Sequence, residues 1–131
     1  MNRPRVLLAD DNVPLVERVA ELLAPSFDVV GIAYDGQDLV TKALSLSPDV
    51  IVLDITMPIL TGIEAIRQLR ESGFASKTVF LTVHSEFEFL QACLQEGANG
   101  FVVKSRMKDE LVAAIHSAIA DRLFVSTMVT S

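Results

Sequence analysis

Apolar residues fall along this chain in two alternating rhythms. Short unbroken runs, Val6-Leu7-Leu8-Ala9, Val50-Ile51-Val52-Leu53, Val79-Phe80-Leu81 within a buried strand read over 78–83, and Phe101-Val102-Val103 within one over 100–103, have the length and branched content of strands buried on both faces. Phe27 to Ala33 is a further apolar run of strand length. Between these runs apolar residues recur at three- and four-residue spacing, the period of a helix with one buried face. The sets are Leu15, Val16, Val19, Leu22 and Leu23; Leu39, Val40, Ala43 and Leu44; Ile63, Ile66 and Leu69; and Leu111, Ala114, Ile115, Ala118 and Ile119.

Capping and breaking residues sharpen the boundaries. Asn12 and Pro14 open a first helix, and Pro25 stops it. Tyr34-Asp35-Gly36 reads as a turn before a helix over 38–46, and Ser47-Pro48 ends that helix. Pro58 and Gly62 bound a loop, followed by a helix over 61–72. Ser85 is placed to cap a helix over 86–96, which Gly97 terminates, and a last helix spans 107 to about 122. Phe87, Phe89, Leu90 and Leu94 cannot share one face of the fourth helix, so at least one phenylalanine is expected at the surface. The order is five repeats of strand then helix, which predicts an α/β fold with a doubly wound parallel sheet and helices on both faces.

Composition narrows the class. A chain of 131 residues fits one domain with a substantial core. Seventeen acids against 11 bases give a formal charge of -6, which disfavours direct contact with nucleic acid. Cys93 is the single cysteine, so there is no internal disulfide framework and a reducing, cytoplasmic setting is expected. The basic start has too short an apolar run for a signal peptide, and no window approaches a membrane span.

In a doubly wound sheet, ligands bind at the carboxyl ends of the strands. There the pattern delivers Asp10 and Asp11, Asp54, Thr82 and Lys104, from four different strands. Close carboxylates repel unless a cation neutralises them, and a hard divalent ion such as Mg²⁺ suits a site with few protein ligands and several retained waters. Asp54 is then suited to act as a nucleophile toward a phosphoryl group, with the Thr82 hydroxyl and the Lys104 ammonium on the phosphoryl oxygens.

These residues, with Asp54-Ile55-Thr56-Met57-Pro58-Ile59-Leu60-Thr61-Gly62, resemble the response-regulator receiver domains of two-component signalling, over about residues 4 to 122. The resemblance implies a flavodoxin-like five-stranded sheet in the order 2-1-3-4-5 with five helices. It further implies that Asp54 accepts phosphate from a sensor histidine kinase, becoming an aspartylphosphate. Asp11 is implied as a direct ligand of Mg²⁺ or Mn²⁺, Asp10 as its water-mediated companion, and the Thr56 carbonyl as a third protein ligand beside Asp54. Thr82 and Lys104 match the pair that contacts the phosphoryl group, and Thr82 and Phe101 match the switch residues. Residues 97–104 and 124–130 are similar to the subfamily whose receivers precede a helix-turn-helix DNA-binding domain. The expected division is a receiver over 1–122 and, over 123–131, the start of a linker to an effector outside this chain. Implied partners are the kinase, a second copy on activation, and DNA through that effector alone, with no membrane.

Two positions depart from the family pattern. Ser105 follows Lys104 where many receivers have proline, and Val83 stands where many have a smaller residue, beside the phosphoryl pocket. His84 and Thr56, each two positions past a site residue, flank the pocket; His84 reads as an exposed loop histidine and His116 as a surface one. Cys93 reads as a small buried hydrophobe. Singly, Asp10 or Asp11 is a turn former, Thr82 a strand residue and Lys104 a solvated charge; it is the joint placement that points to a site. A phosphatase with an aspartate nucleophile is the enzyme alternative, but such enzymes need an acid two residues on, and that position is Thr56. An interaction module that is no longer phosphorylated is the other, and the presence of all five functional positions argues against it.

Overall fold

The computed structural model describes residues 3–127 and Val129; the expected linker positions 128, 130 and 131, like the first two residues, lie outside the described part. The elements run β1 (Arg5–Ala9), α1 (Val13–Leu23), β2 (Asp28–Ala33), α2 (Gly36–Leu46), β3 (Val50–Leu53), α3 (Gly62–Glu71), β4 (Lys77–Thr82), α4 (Phe87–Gln95), β5 (Gly100–Val103), a 3-10 turn (Lys104–Arg106), α5 (Met107–Ile119) and β6 (Phe124–Val125). The sheet is parallel throughout, in the order β2-β1-β3-β4-β5-β6.

The two-sided burial read from the apolar runs is realised by alternation. Leu7, Ile51, Leu53, Phe80, Phe101 and Val103 face one core with α2, α3 and α4. Val6, Leu8, Val50, Val52, Val79, Leu81 and Val102 face the other, against α1 and α5. A strand with both faces covered has little use for a charged position until it ends, which is why Asp10 and Asp54 stand at the first residue past β1 and β3, with Asp11 one residue further on.

Local chemistry sets the helix starts. The Asn12 side chain accepts the Leu15 amide at 3.2 Å. Asp35 accepts that of Asp38 at 2.8 Å, so α2 begins two residues earlier than its apolar period suggests. Thr61 and Glu64 form a reciprocal capping box at 3.1 and 2.9 Å. Ser85 is not the cap of α4: Glu86 takes that position and makes no side-chain cap bond. Two side chains expected inward are outward. Leu44 is 52% and Ile119 39% exposed, because each lies one residue, about 100° of helix, past the last buried position on its face. Phe87 is the exposed phenylalanine of α4, and Cys93 is buried as expected.

The loop from β3 to α3 is held by the buried side chains of Ile55 and Met57 and by backbone hydrogen bonds. The Gly62 amide donates to the Ile55 carbonyl at 2.7 Å and the Gly36 amide to the Pro58 carbonyl at 3.2 Å. A Cβ on Gly62 would lie 2.0 Å from the Asp54 carbonyl oxygen, so glycine here is a requirement of space.

Part of the segment after α5 is docked on the sheet. Phe124 and Val125 extend the sheet beside Gly100 and Phe101. The Ser126 and Thr127 hydroxyls donate to the Glu110 carboxylate at 2.6 and 2.8 Å, joined by the Thr127 amide at 3.3 Å. Two residues are too short for the sequence period to register as a strand. Burial pushes the Glu110 carboxyl up, but the Ser126 and Thr127 hydrogen bonds and the Arg106 charge outweigh it and hold the group below the ordinary glutamate range.

Two expectations follow. Gly62→Ala should cost about 1–3 kcal/mol, read as a lowered midpoint in denaturant unfolding. A depressed carboxylate contributes stability that is fully present above the ordinary glutamate value of about 4.3 and is lost as pH falls through the folded value. The stability difference between wild type and Glu110→Gln should therefore be constant from neutral pH to about pH 5 and shrink below it, as followed by thermal unfolding across that range.

Candidate functional site

Asp10 and Asp54 stand just past β1 and β3, and their amides complete the sheet ladder. The Asp10 amide donates to the Ala33 carbonyl and that of Asp54 to the Ala9 carbonyl, both at 3.0 Å. Each carboxylate divides its oxygens in the same way. Oδ1 of Asp10 accepts the Asn12 amide at 2.9 Å, and Oδ1 of Asp54 accepts the Ile55 amide at 2.7 Å. The Oδ2 atoms share the Lys104 ammonium, at 2.8 Å from Asp10 and 3.1 Å from Asp54. Lys104 begins the 3-10 turn after β5, and there is no cis peptide bond among the described residues, Lys104-Ser105 included.

Asp11 is exposed beside this pair, and one carboxylate oxygen from each of Asp10, Asp11 and Asp54 lies within 4.8 Å of the others. Three hard oxygen donors so close fit a divalent cation of the Mg²⁺ type. Thr82 is fully buried at the end of β4, opposite Val103, the residue before Lys104. Its hydroxyl accepts the His84 amide at 3.2 Å. Thr56 is exposed between the buried Ile55 and Met57, and Phe101 lies fully buried in the core against α4. Asp10, Asp54 and Lys104 are thus in direct contact, Asp11 is within ligand reach, and Thr82 and Thr56 sit on the adjoining strand end and loop.

Electrostatics follow from burial. Asp54 is only 8% exposed. Desolvation raises its carboxyl above the ordinary range; the Lys104 charge and hydrogen bond oppose this in part, while the Asp10 charge reinforces it. Burial acts to lower Lys104, yet its hydrogen bond to Asp10 and the charges of Asp54 and Asp10 more than offset that and raise it. The two carboxylates thus favour the charged form of Lys104, while burial disfavours the ionised form of Asp54.

Two neighbours differ from their reading in the sequence. Val83 is 67% exposed, so its side chain is directed to solvent and is not packed into the core. His84 is half-buried and stacks on Phe89, with ring centroids 3.8 Å apart and 8° between planes, while its Nδ1 lies 3.9 Å from Glu86. Nothing in the helical period of α4 signals that stack, because it joins a loop residue to a helix residue five positions on. His116 is exposed, its ring 4.9 Å from that of Phe27.

The chain matches the family described as response regulator receiver domain over residues 6–116. It is 35% identical over 127 residues to the nitrate/nitrite response regulator protein NarL of Escherichia coli K12, covering 95% of this chain and 59% of that protein. It is 30% identical over 131 residues to the transcriptional regulatory protein DegU of Brevibacillus brevis, covering 98% of this chain and 56% of that one. The chain thus spans somewhat under three-fifths of the length of these relatives. Among solved structures it resembles a LuxR-family two-component response regulator from Aurantimonas sp. SI85-9A1, at 32% identity with a TM-score of 0.92 over 98% of this chain and 93% of that one. The receiver domain of the putative response regulator NarL from Mycobacterium tuberculosis gives 29% identity and a TM-score of 0.88, over 93% of this chain and all of that one. With its parallel order β2-β1-β3-β4-β5 and its three acids at the strand ends, this chain belongs to the response-regulator receiver domains.

Proposed function

We propose that Asp54 is the phosphoryl acceptor of a signalling switch charged by a sensor histidine kinase. The observation that carries this reading is the pairing of a buried Asp54 with Lys104 at 3.1 Å, inside a cluster of three carboxylates at the carboxyl edge of the sheet. In the transfer, an Asp54 oxygen forms a bond to phosphorus as the bond to the donor nitrogen of phosphohistidine breaks. Asp10, Asp11, Asp54 and the Thr56 carbonyl are the groups that would hold Mg²⁺ or Mn²⁺. Such an ion, when bound, supplies positive charge to the phosphoryl oxygens. Lys104 supplies a second, fixed positive charge there. The Thr82 hydroxyl is the hydrogen-bond donor for a phosphoryl oxygen, through its O–H, while its lone pairs remain available to the His84 amide.

The product carries nearly two negative charges where Asp54 carried one at most. Thr82 and Lys104 respond to it, and Phe101, on the strand that ends in Lys104, is the switch that transmits the change. The readout is a surface for a second copy of the domain and control of a C-terminal DNA-binding region in a longer regulator. The relatives' greater length, the "LuxR family" description of one of them and the net charge of -6 support placing DNA contact outside this domain. A reducing, cytoplasmic setting fits the lone buried Cys93, and no helix among the described residues is long and apolar enough to cross a membrane.

Incubation with Mg²⁺ and acetyl phosphate should add the mass of one phosphoryl group, and Asp54→Ala should abolish the adduct; an adduct retained in that variant would refute the assignment. Divalent cation should also stabilise the fold, by about 2.7 kcal/mol at a hundred times its Kd, measured as a rise in Tm. Asp11→Ala should raise the Kd for the cation by no less than the roughly 10–100-fold typical of losing an outer-shell partner, so that the same rise in Tm needs correspondingly more cation. A raised carboxyl contributes stability that is present below the ordinary aspartate value and lost as pH rises through the folded one. Asp54→Asn should thus raise Tm by a few degrees at neutral pH in chelator, and the gain should fade near pH 3; a lowered Tm at neutral pH would show that Lys104 more than compensates the buried charge.

A further inference from the structure

The segment after α5 is attached to the sheet in a way that makes it separable. Its strand is two residues long, and its bonds to the sheet include the Phe124 amide to the Asn99 carbonyl at 3.1 Å and the Ser126 amide to the Phe101 carbonyl at 2.8 Å. So short an edge strand has little stability of its own. One side chain of α5 adds a clamp to these bonds: Glu110, 6% exposed, accepts both hydroxyls of Ser126 and Thr127 and the Thr127 amide. Arg106, whose Nε lies 3.6 Å from Glu110 Oε2, is the cation beside it. Phe124 packs on the core of α1 and α5, whereas Val125 and Val129 pack on the core of α2, α3 and α4. The segment therefore runs along the edge of β5, its successive side chains reaching both helical layers as those of a strand do.

The strand it covers is also the one that ends at the functional site. The Phe101 carbonyl anchors Ser126, and three residues on, Lys104 holds Asp10 and Asp54. A change in which oxygens Lys104 holds acts on the strand against which the segment lies.

We propose that residues 124–127 are a releasable strap, latched by Glu110: docked, it closes the β5 edge, and released, it frees that edge and the chain beyond, with loading of Asp54 favouring release. The latch stands on the contacts alone; its trigger rests on the phosphoryl-acceptor reading. Release uncovers the main-chain groups of β5 and the apolar surface under Phe124 and Val125, a surface suited to pairing with another strand.

Amide hydrogen exchange, resolved by residue, tests the latch. In Glu110→Ala, and separately in the double variant Ser126→Ala, Thr127→Val, which keeps the buried acid, the Phe124 and Ser126 amides should exchange at least tenfold faster. The amides of β1, β3 and β4 should keep their wild-type rates. Unchanged exchange in both variants, or acceleration of the strap only together with those three strands, overturns the proposal. The trigger is tested on wild type with Mg²⁺ and beryllofluoride, with binding verified by fluorine NMR. Several-fold faster strap exchange is expected, and unchanged exchange with fluoride bound removes the link to Asp54. Should fluoride fail to bind, the acceptor reading falls, and the two variants still decide the latch.

Discussion

The structure depends on a problem of charge. A parallel sheet covered on both sides brings its strand ends together at one edge, and in this chain it brings acids there. Asp10 and Asp54 are both buried, and repulsion between them would be severe if nothing answered it. Lys104 answers it from the far side of the chain by bonding one oxygen of each. The other oxygens are taken by the amides of Asn12 and Ile55, so the backbone settles the geometry and the lysine settles the charge. That division leaves the site polarised and exchangeable on one side, since an ammonium on a flexible stem is readily redirected.

The floor beneath the site has no such freedom. Asp54 sits above a loop whose following helix starts at Gly62, in contact with the Asp54 carbonyl, and the loop itself rests on the start of α2 at Gly36. The capping box of Thr61 and Glu64 fixes the helix entry. Asp54 is fixed by these backbone contacts, whereas Lys104 reaches it on a long side chain and the segment from Thr82 to Phe89 is tied by side-chain contacts such as the His84 to Phe89 stack.

Most of this was legible in the sequence, and the exceptions have physical reasons. Uninterrupted runs such as Val50 to Leu53 reveal strands because both faces are buried, and the acids at their ends reveal the edge. Spacing cannot tell how far a buried stripe reaches round a helix, so Leu44 and Ile119 were expected inside and lie outside. Nor can it see a strand of two residues: Phe124 and Val125 pair with β5 because of where α5 ends and what Glu110 offers, and both are tertiary facts. Asp35 carried a usable signal, a carboxylate three residues before Asp38, which the apolar period of α2 masked. Ser85 shows the converse, a good capping residue that the chain passes by in favour of Glu86.

The alternation of β5 limits how that strand can move. Phe101 and Val103 plug into one layer of helices and Val102 into the other. Twisting the strand about its axis would drive one side chain into close-packed atoms while lifting its neighbour away, which dense interiors resist. β5 is thus clamped from both layers, and the one strand joins two things at its margins: the lysine at its tip, which holds Asp10 and Asp54, and the short segment paired along its edge.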